Sequence, residues 1–446
     1  MLSQETQGRL FPRISEALTL GRTSPIDLNI ADPTLCQLSQ GVHLIDQQTL
    51  EDRASAMNRE IWPDGRGGNF YAVKGNPNHY ILKTLGDQGF GFDCSSPTEI
   101  LDALKSGVGF GRMMYTANAT PSAHLKFAMD KGAILNLDDI VYLGMLEEVP
   151  KVLSFRVNIA GMRKDGGQNK IIGEAGAQKY GVPYEKIISA FRKAKGMGVQ
   201  DFGLHTMYAT NNRSWKVHCT TLQILLEIAK KLKSELGIQL KFVNAGGGIG
   251  IDYKHPDDRS IKYGEEDKPF DLRRYGIEVN LLLREFEFNN GWRPDFYLEC
   301  ARYPVAPAGI WVAPIIAVTQ KYRRFACMAA CDGSDLLRAG MYPTHHHVDV
   351  LDSNGNPVHD RPIIKQSIVG PLCENIHAAS QRFLPRIIIG DLVVFFHTGC
   401  HGIVMGMDYN GWTKSAQVMR MSDGTLKLIS RAQTIADIRC LQVPLV

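Results

Sequence analysis

Between residues 70 and 299 the chain keeps a regular beat of short apolar runs and helical stretches. The runs are 70–74, 92–94, 112–116, 133–137, 152–158, 202–206, 240–244 and 295–299. Helical patterns lie between them at 78–87, 97–105, 121–131, 138–147, 184–196, 216–236 and 273–288, and one more precedes them at 48–61. About eight strands alternating with helices predict a closed parallel (β/α)8 barrel of the TIM type rather than an open doubly wound sheet. After Arg302 the helical period fades. Short runs at 310–318, 324–330, 348–351, 363–369, 392–396 and 426–429 are separated by Gly, Pro, Asn and Asp, which predicts an all-β second domain. The expected division is a barrel over 48–305, with 1–47 and 306–446 forming the β domain.

Composition narrows the class. A net charge of +4 over 446 residues, with no dense basic block, gives no reason to expect nucleic acid as a partner. Nine cysteines without a CxxC pair suit a reducing compartment better than a disulfide framework or a zinc site. The first nineteen residues lack the basic and apolar regions of a signal peptide. The most apolar stretch, 306–318, is short and holds two prolines, so it cannot span a bilayer. A cytoplasmic protein with no membrane partner is expected.

Candidate chemistry gathers at the ends of the expected barrel strands. Lys74 ends the run Phe70-Tyr71-Ala72-Val73-Lys74, before the breakers Gly75-Asn76-Pro77. A lysine there is either a snorkelling rim residue or a desolvated amine able to form a Schiff base. Gly246-Gly247-Gly248 follows a strand and is either a turn or an anion cradle of backbone N–H groups. It matches neither a dinucleotide fingerprint nor a Walker loop. Glu299 and Arg302 close the last strand, three apart, so the chain must turn after Glu299 for both to enter one site. They are either a rim ion pair or a carboxylate for a pyridine nitrogen and a cation for a phosphate. His205 ends another strand, as a core histidine or as a flat ring against a cofactor. In the second domain Cys373-Glu374 follows Gly370-Pro371-Leu372. Its thiol is a proton donor, a nucleophile or a buried small residue. Arg338 and Tyr342, four apart, can hold a carboxylate. His345-His346-His347 diverge on a strand with no second cluster to join them, so no metal is assigned.

Together these motifs resemble the fold-type III pyridoxal-phosphate decarboxylases, the group of ornithine, arginine and diaminopimelate decarboxylases. The resemblance runs from about Phe70 to Ile429. Tyr71-Ala72-Val73-Lys74 is similar to the family's Schiff-base motif, and Gly91-Phe92-Asp93-Cys94-Ser95-Ser96 with Glu99 to the next strand and helix. Gly246-Gly247-Gly248, Glu299-x-x-Arg302 and Gly370-Pro371-Leu372-Cys373 are similar to its phosphate, pyridine and cysteine-loop motifs. Within the group, Arg338-Ala-Gly-Met-Tyr342 and the Cys373-Glu374 pair resemble the diaminopimelate branch.

The resemblance implies the alanine racemase/ornithine decarboxylase-like fold, pyridoxal 5′-phosphate as cofactor and decarboxylation of a small amino acid. The expected substrate is meso-diaminopimelate, giving lysine, with another amino acid as the alternative and a racemase or non-catalytic homologue behind it. It implies Lys74 as the Schiff-base lysine, with Asp93 near it and His205 stacked on the ring. Glu299 would face the pyridine nitrogen, and Gly246, Gly247, Gly248 and Arg302 the phosphate. His401 falls where the family has a cofactor-side tyrosine. Arg302, Arg338, Tyr342 and Glu374 would line the substrate, and Cys373 would reprotonate Cα from a partner chain, in a head-to-tail homodimer. The chain departs from the pattern at Thr206-Met207-Tyr208, at Gly75, at His401 and at Ile376-His377. The 164–179 loop is a candidate lid.

Overall fold

A computed structural model of the chain describes residues 4–22, 38–109, 111–116, 118–163, 177–331, 336 and 344–443. Contacts divide the chain into two compact units: Met1–Leu50, Asp252–Asp267 and Val305–Val446 form one, and Glu51–Ile251 with Lys268–Pro304 the other. Residues 252–267, expected within the barrel, cluster instead with the β-rich unit. Asp258 shows why. Its carboxylate accepts from Arg382 at 2.8 Å and lies 2.7 Å from His345 Nε2.

In chain order the first strands are β1 (Val42–Asp46), β2 (Gly67–Ala72), β3 (Gly91–Cys94), β4 (Met113–Tyr115), β5 (Ile134–Leu137) and β6 (Val152–Asn158). They continue as β7 (Val182–Pro183), β8 (Asp201–His205), β9 (Phe242–Asn244) and β10 (Asp295–Leu298). Strands β2 to β6 and β8 to β10 pair in parallel, and β10 pairs back onto β2, so these eight close the predicted barrel. Helices pack outside it. Phe155 and Phe202 both meet Phe191 of the helix Ile187–Gly196, at ring-centroid distances of 5.1 and 5.4 Å. Two expectations shift. The strand before Lys74 ends at Ala72, and Val73–Gly75 forms a 3-10 turn. The helix expected at 138–147 is a 3-10 segment, Ile140–Met145. Its Ile-Val-Tyr start and Gly144 disfavour an α-helix.

The second unit holds a nine-stranded sheet. Beyond β1 its strands are β11 (Gly309–Gln320), β12 (Arg324–Met328), β13 (Val348–Leu351), β14 (Ile363–Val369), β15 (Ala379–Pro385), β16 (Leu392–Phe396), β17 (Ala416–Arg420) and β18 (Leu426–Ser430). Strand β1 lies between β11, antiparallel, and β17, parallel. The pleat explains why β11 and β16 read as unbroken apolar runs, since both faces are covered. Ile310, Val312, Leu392, Val394 and Phe396 join one core with Leu10, Ile14 and Leu18 of the N-terminal helices. Trp311, Ala313, Val393 and Phe395 join the other. Among the described residues no helix is long and apolar enough to cross a membrane.

The barrel floor makes a direct test. A Cβ on Gly203 would lie 2.0 Å from the Phe242 ring. Gly203→Ala is expected to destabilise the barrel by about 1–3 kcal/mol, read as a lower melting temperature; an unchanged value would contradict this packing.

Candidate active site

Alternation along the strands builds the chamber. Phe70, Met114 and Phe242 pack together inside the barrel, with Ile134, Val152 and Tyr297 against them. Side chains two residues further along a strand face the same way. Those positions are Ala72, Thr116, Asn244, Asn136, Ser154 and Glu299. Gly91 and Gly203 also face inward, because a Cβ on either would strike the Phe70 or Phe242 ring. Two residues on from them stand Asp93 and His205. An apolar floor is thus followed by a polar layer at the strands' C-terminal ends, the face on which barrels of this type do chemistry.

Glu299 is the centre of that layer. One carboxylate oxygen lies 3.0 Å from His205 Nε2, and the other accepts from Asn244 Nδ2 at 2.8 Å. Burial pushes its pKa up, but His205, Lys74 and Arg156 outweigh burial and hold it below the ordinary carboxylate value. Asp93 goes the other way. Burial and then the Glu299 charge drive it well above that value, against Lys74 and a Thr116 hydrogen bond. The pair is thus pushed in opposite directions, Glu299 toward its ionised form and Asp93 toward its neutral form. Asp93 Oδ1, His205 Nδ1, Asn136 Oδ1 and Ser154 Oγ are buried without a hydrogen-bond partner among the described residues. Unsatisfied groups in such number mark a layer shaped for a polar ligand.

Beyond Glu299 the chain turns as the spacing requires. Asn69 holds Cys300 at both backbone groups, donating to its carbonyl at 2.9 Å and accepting from its N–H at 2.8 Å. A short helix then begins at the buried Arg302. Lys74 stands exposed in its 3-10 turn above β2, so the expected desolvation of this amine is not what the structure presents. The three glycines are demanded by close backbone: a Cβ on Gly246, Gly247 or Gly248 would lie 2.0–2.5 Å from the carbonyl oxygens of Thr206, Glu299 and Ala209. Gly246 N–H donates to Asn244 Oδ1 at 2.9 Å and Gly247 N–H to Met207 Sδ at 3.2 Å. A thioether is a weak acceptor, so the Gly247 amide remains able to serve an anion.

The β-rich unit carries the remaining candidates. Cys373 and Glu374 are exposed between β14 and β15. Cys373 Sγ lies 3.6 Å from Glu374 Oε2 and 3.5 Å from the Tyr409 hydroxyl. His401 occupies a turn at φ 67°. Arg338, Tyr342 and residues 164–176 of the candidate lid lie outside the described residues.

The family model for "Pyridoxal-dependent decarboxylase, pyridoxal binding domain" matches residues 47–285. The chain belongs to the pyridoxal-dependent decarboxylase family. It is 31% identical over 438 residues to Protein TabA of Pseudomonas amygdali pv. tabaci, covering 98% of this chain and 95% of that one. It is 28% identical over 405 residues to diaminopimelate decarboxylase of Methanothermobacter thermautotrophicus, covering 89% and 90%. The fold matches that of diaminopimelate decarboxylase from M. jannaschii in complex with L-lysine, with a TM-score of 0.79 at 22% identity over 90% and 92% of the two chains. The protein is a pyridoxal-phosphate-dependent amino-acid decarboxylase, a carboxy-lyase. An ionised carboxylate for a pyridinium nitrogen, unsatisfied polar groups in the same layer and an amine in the turn after β2 fit that cofactor.

Sequence reasoning passed over three residues of the decarboxylase. Arg156 is buried, with its guanidinium 4.1 Å over the Tyr180 ring and its charge felt by Glu299. Its signal was available: a charged residue within the apolar run Val152–Asn158, on the face opposite Phe155. Asn244, just before the glycines, is a Glu299 ligand. Asn69 gave no local signal.

A raised carboxyl costs stability increasingly as pH climbs from its ordinary pKa of about 3.9 toward the raised value. Asp93→Asn removes that cost. In cofactor-free protein it is expected to raise the melting temperature more at about pH 8 than at about pH 5. An equal shift at both would contradict a neutral Asp93.

Proposed function

We propose that this enzyme decarboxylates meso-diaminopimelate to lysine. The observation that carries the substrate is Arg338-Ala-Gly-Met-Tyr342, a cation and a hydroxyl that suit a second, distal carboxylate. Diaminopimelate decarboxylases among the relatives support it. A diamine precursor such as ornithine or lysine has no distal carboxylate for Arg338 to match.

In this reading Lys74 holds the cofactor through Nζ, Glu299 faces its ring nitrogen, and His205 lies against the ring with Asp93 near Lys74. Gly246, Gly247, Gly248 and Arg302 take the phosphate, with His401 on the cofactor side. Bound, pyridoxal phosphate supplies the sink for the electron pair left when the carboxylate departs as CO₂. The ionised Glu299 keeps a proton on the group it faces, and neutral Asp93 adds no second negative charge beside it. Arg338 and Tyr342 fix the distal carboxylate, with Glu374 and Arg302 also lining the substrate. Cys373 Sγ gives its proton to Cα. The Cys373 loop serves the barrel of a second chain, in a head-to-tail homodimer of the cytoplasm that supplies lysine biosynthesis.

A second reading is decarboxylation of another amino acid. It is favoured by Met207-Tyr208 and His401 at cofactor-side positions and by 31% identity to a relative not named as a diaminopimelate decarboxylase.

The test begins with absorbance. Pyridoxal phosphate is expected to raise a visible band that Lys74→Ala lacks; no band at all would sink the roles given to Lys74. CO₂ release is then compared for meso-diaminopimelate, lysine, ornithine and arginine. Release from diaminopimelate, with kcat/KM cut about 100-fold or more by Arg338→Ala, supports the substrate; release from another of the four supports the second reading. Mixed Lys74→Ala and Cys373→Ala proteins are expected to recover about a quarter of wild-type activity if sites are shared across a two-fold dimer, and none if they are not.

A further inference from the structure

We infer that Tyr409 is a positioning residue for the Cys373 thiol. The Tyr409 hydroxyl, Cys373 Sγ and the Glu374 carboxylate form one hydrogen-bonded set held by Asn410. The inference rests on Cys373 as the proton donor of the proposed reaction.

Cys373 lies between β14 and β15, in a stretch without helix or strand. Its backbone N–H donates to Asn410 Oδ1 at 3.0 Å. Asn410 sits at φ 54°, inside the 3-10 turn Tyr409–Gly411, a conformation that asparagine tolerates better than most residues. The same turn presents the neighbouring Tyr409 ring, whose hydroxyl accepts from Cys373 Sγ at 3.5 Å. Glu374 Oε2 is 3.6 Å from that sulfur. Hydrogen bonds to Cys373 and Glu374 push the Tyr409 hydroxyl above its ordinary pKa. It therefore stays protonated and able to donate as well as accept.

That dual capacity suits a thiol that gives up its proton. Before transfer the S–H bond points at the hydroxyl oxygen. As S–H breaks and the Cα–H bond forms, the electron pair of S–H stays on sulfur as a thiolate. The tyrosine O–H then turns from Glu374 to donate to it. A hydrogen bond to a charged group is stronger than one to a neutral group, so the hydroxyl stabilises sulfur more after transfer than before, which lowers the barrier rather than only the starting point. Solvent returns the proton to sulfur before the next turnover.

The test uses the holoenzyme and Tyr409→Phe, which keeps the ring and deletes the hydroxyl. Two readouts are taken: steady-state kinetics on the substrate found active, and the rate of iodoacetamide alkylation at Cys373 by peptide mass spectrometry. Cys440, also exposed, is the internal reference. The expected result is kcat lowered about 3- to 10-fold with KM unchanged, the worth of one such hydrogen bond. Alkylation of Cys373 should slow by a similar factor while Cys440 does not change. Unchanged alkylation and kcat would overturn the inference. Slower alkylation with unchanged kcat would also overturn it, since the contact would then be structural. Cys373→Ala is measured alongside. If it keeps wild-type turnover, the proton-donor role fails first and takes this inference with it; if it is inactive while Tyr409→Phe is wild type, only the inference fails.

Discussion

A buried negative charge at Glu299 is what the barrel's interior is arranged to tolerate. Removing a carboxylate from water costs several kcal/mol unless partners and hydrogen bonds replace the solvent. Here His205 and Asn244 each satisfy one oxygen, and Arg156 on β6 and Lys74 in the turn after β2 supply positive charge. Asp93 answers to the same charge. Burial and the Glu299 charge together push Asp93 toward its neutral form, against the Lys74 charge and a Thr116 hydrogen bond. The residues that make a cofactor chamber are thus one electrostatic unit, and changing any of them moves the others.

Much of this was legible in the sequence because it obeys short periods. The eight-fold alternation announced the barrel, and the strand-end positions of His205 and Glu299 follow from the same period. The all-β texture after Arg302 matched the second sheet. What stayed hidden depends on distance along the chain or on competing local preferences. Asn69 and Cys300 are 231 residues apart, and Cys373 and Tyr409 are 36 apart; no window of sequence contains either pair. Residues 252–267 read as part of the barrel because they lie between two barrel strands, yet Asp258 is anchored by Arg382. The 138–147 segment had helical spacing, but its β-branched start and Gly144 leave it a 3-10 turn. Arg156 could have been found by asking why a charge interrupts an apolar strand.

The glycine run shows how one motif can have two causes. An anion cradle and a close passage of backbone both select glycine. The neighbouring carbonyls of Thr206, Glu299 and Ala209 already exclude a side chain at all three positions. The run is therefore as much a joint between strands as a binding loop, with the Met207 thioether resting on Gly247 N–H.

The place of β1 has a consequence for how the polypeptide is made. This strand precedes the barrel in the chain, yet both of its neighbours, β11 and β17, come hundreds of residues later, beyond the barrel's last strand. Until then Val42 and Leu44 have no sheet to join, and the helices carrying Leu10 and Ile14 lack their opposing face. Contacts of such long sequence separation form slowly. Vectorial synthesis thus leaves the N-terminal segment waiting as an unpaired, apolar strand while the barrel assembles, and the β-rich unit closes only when its last third arrives.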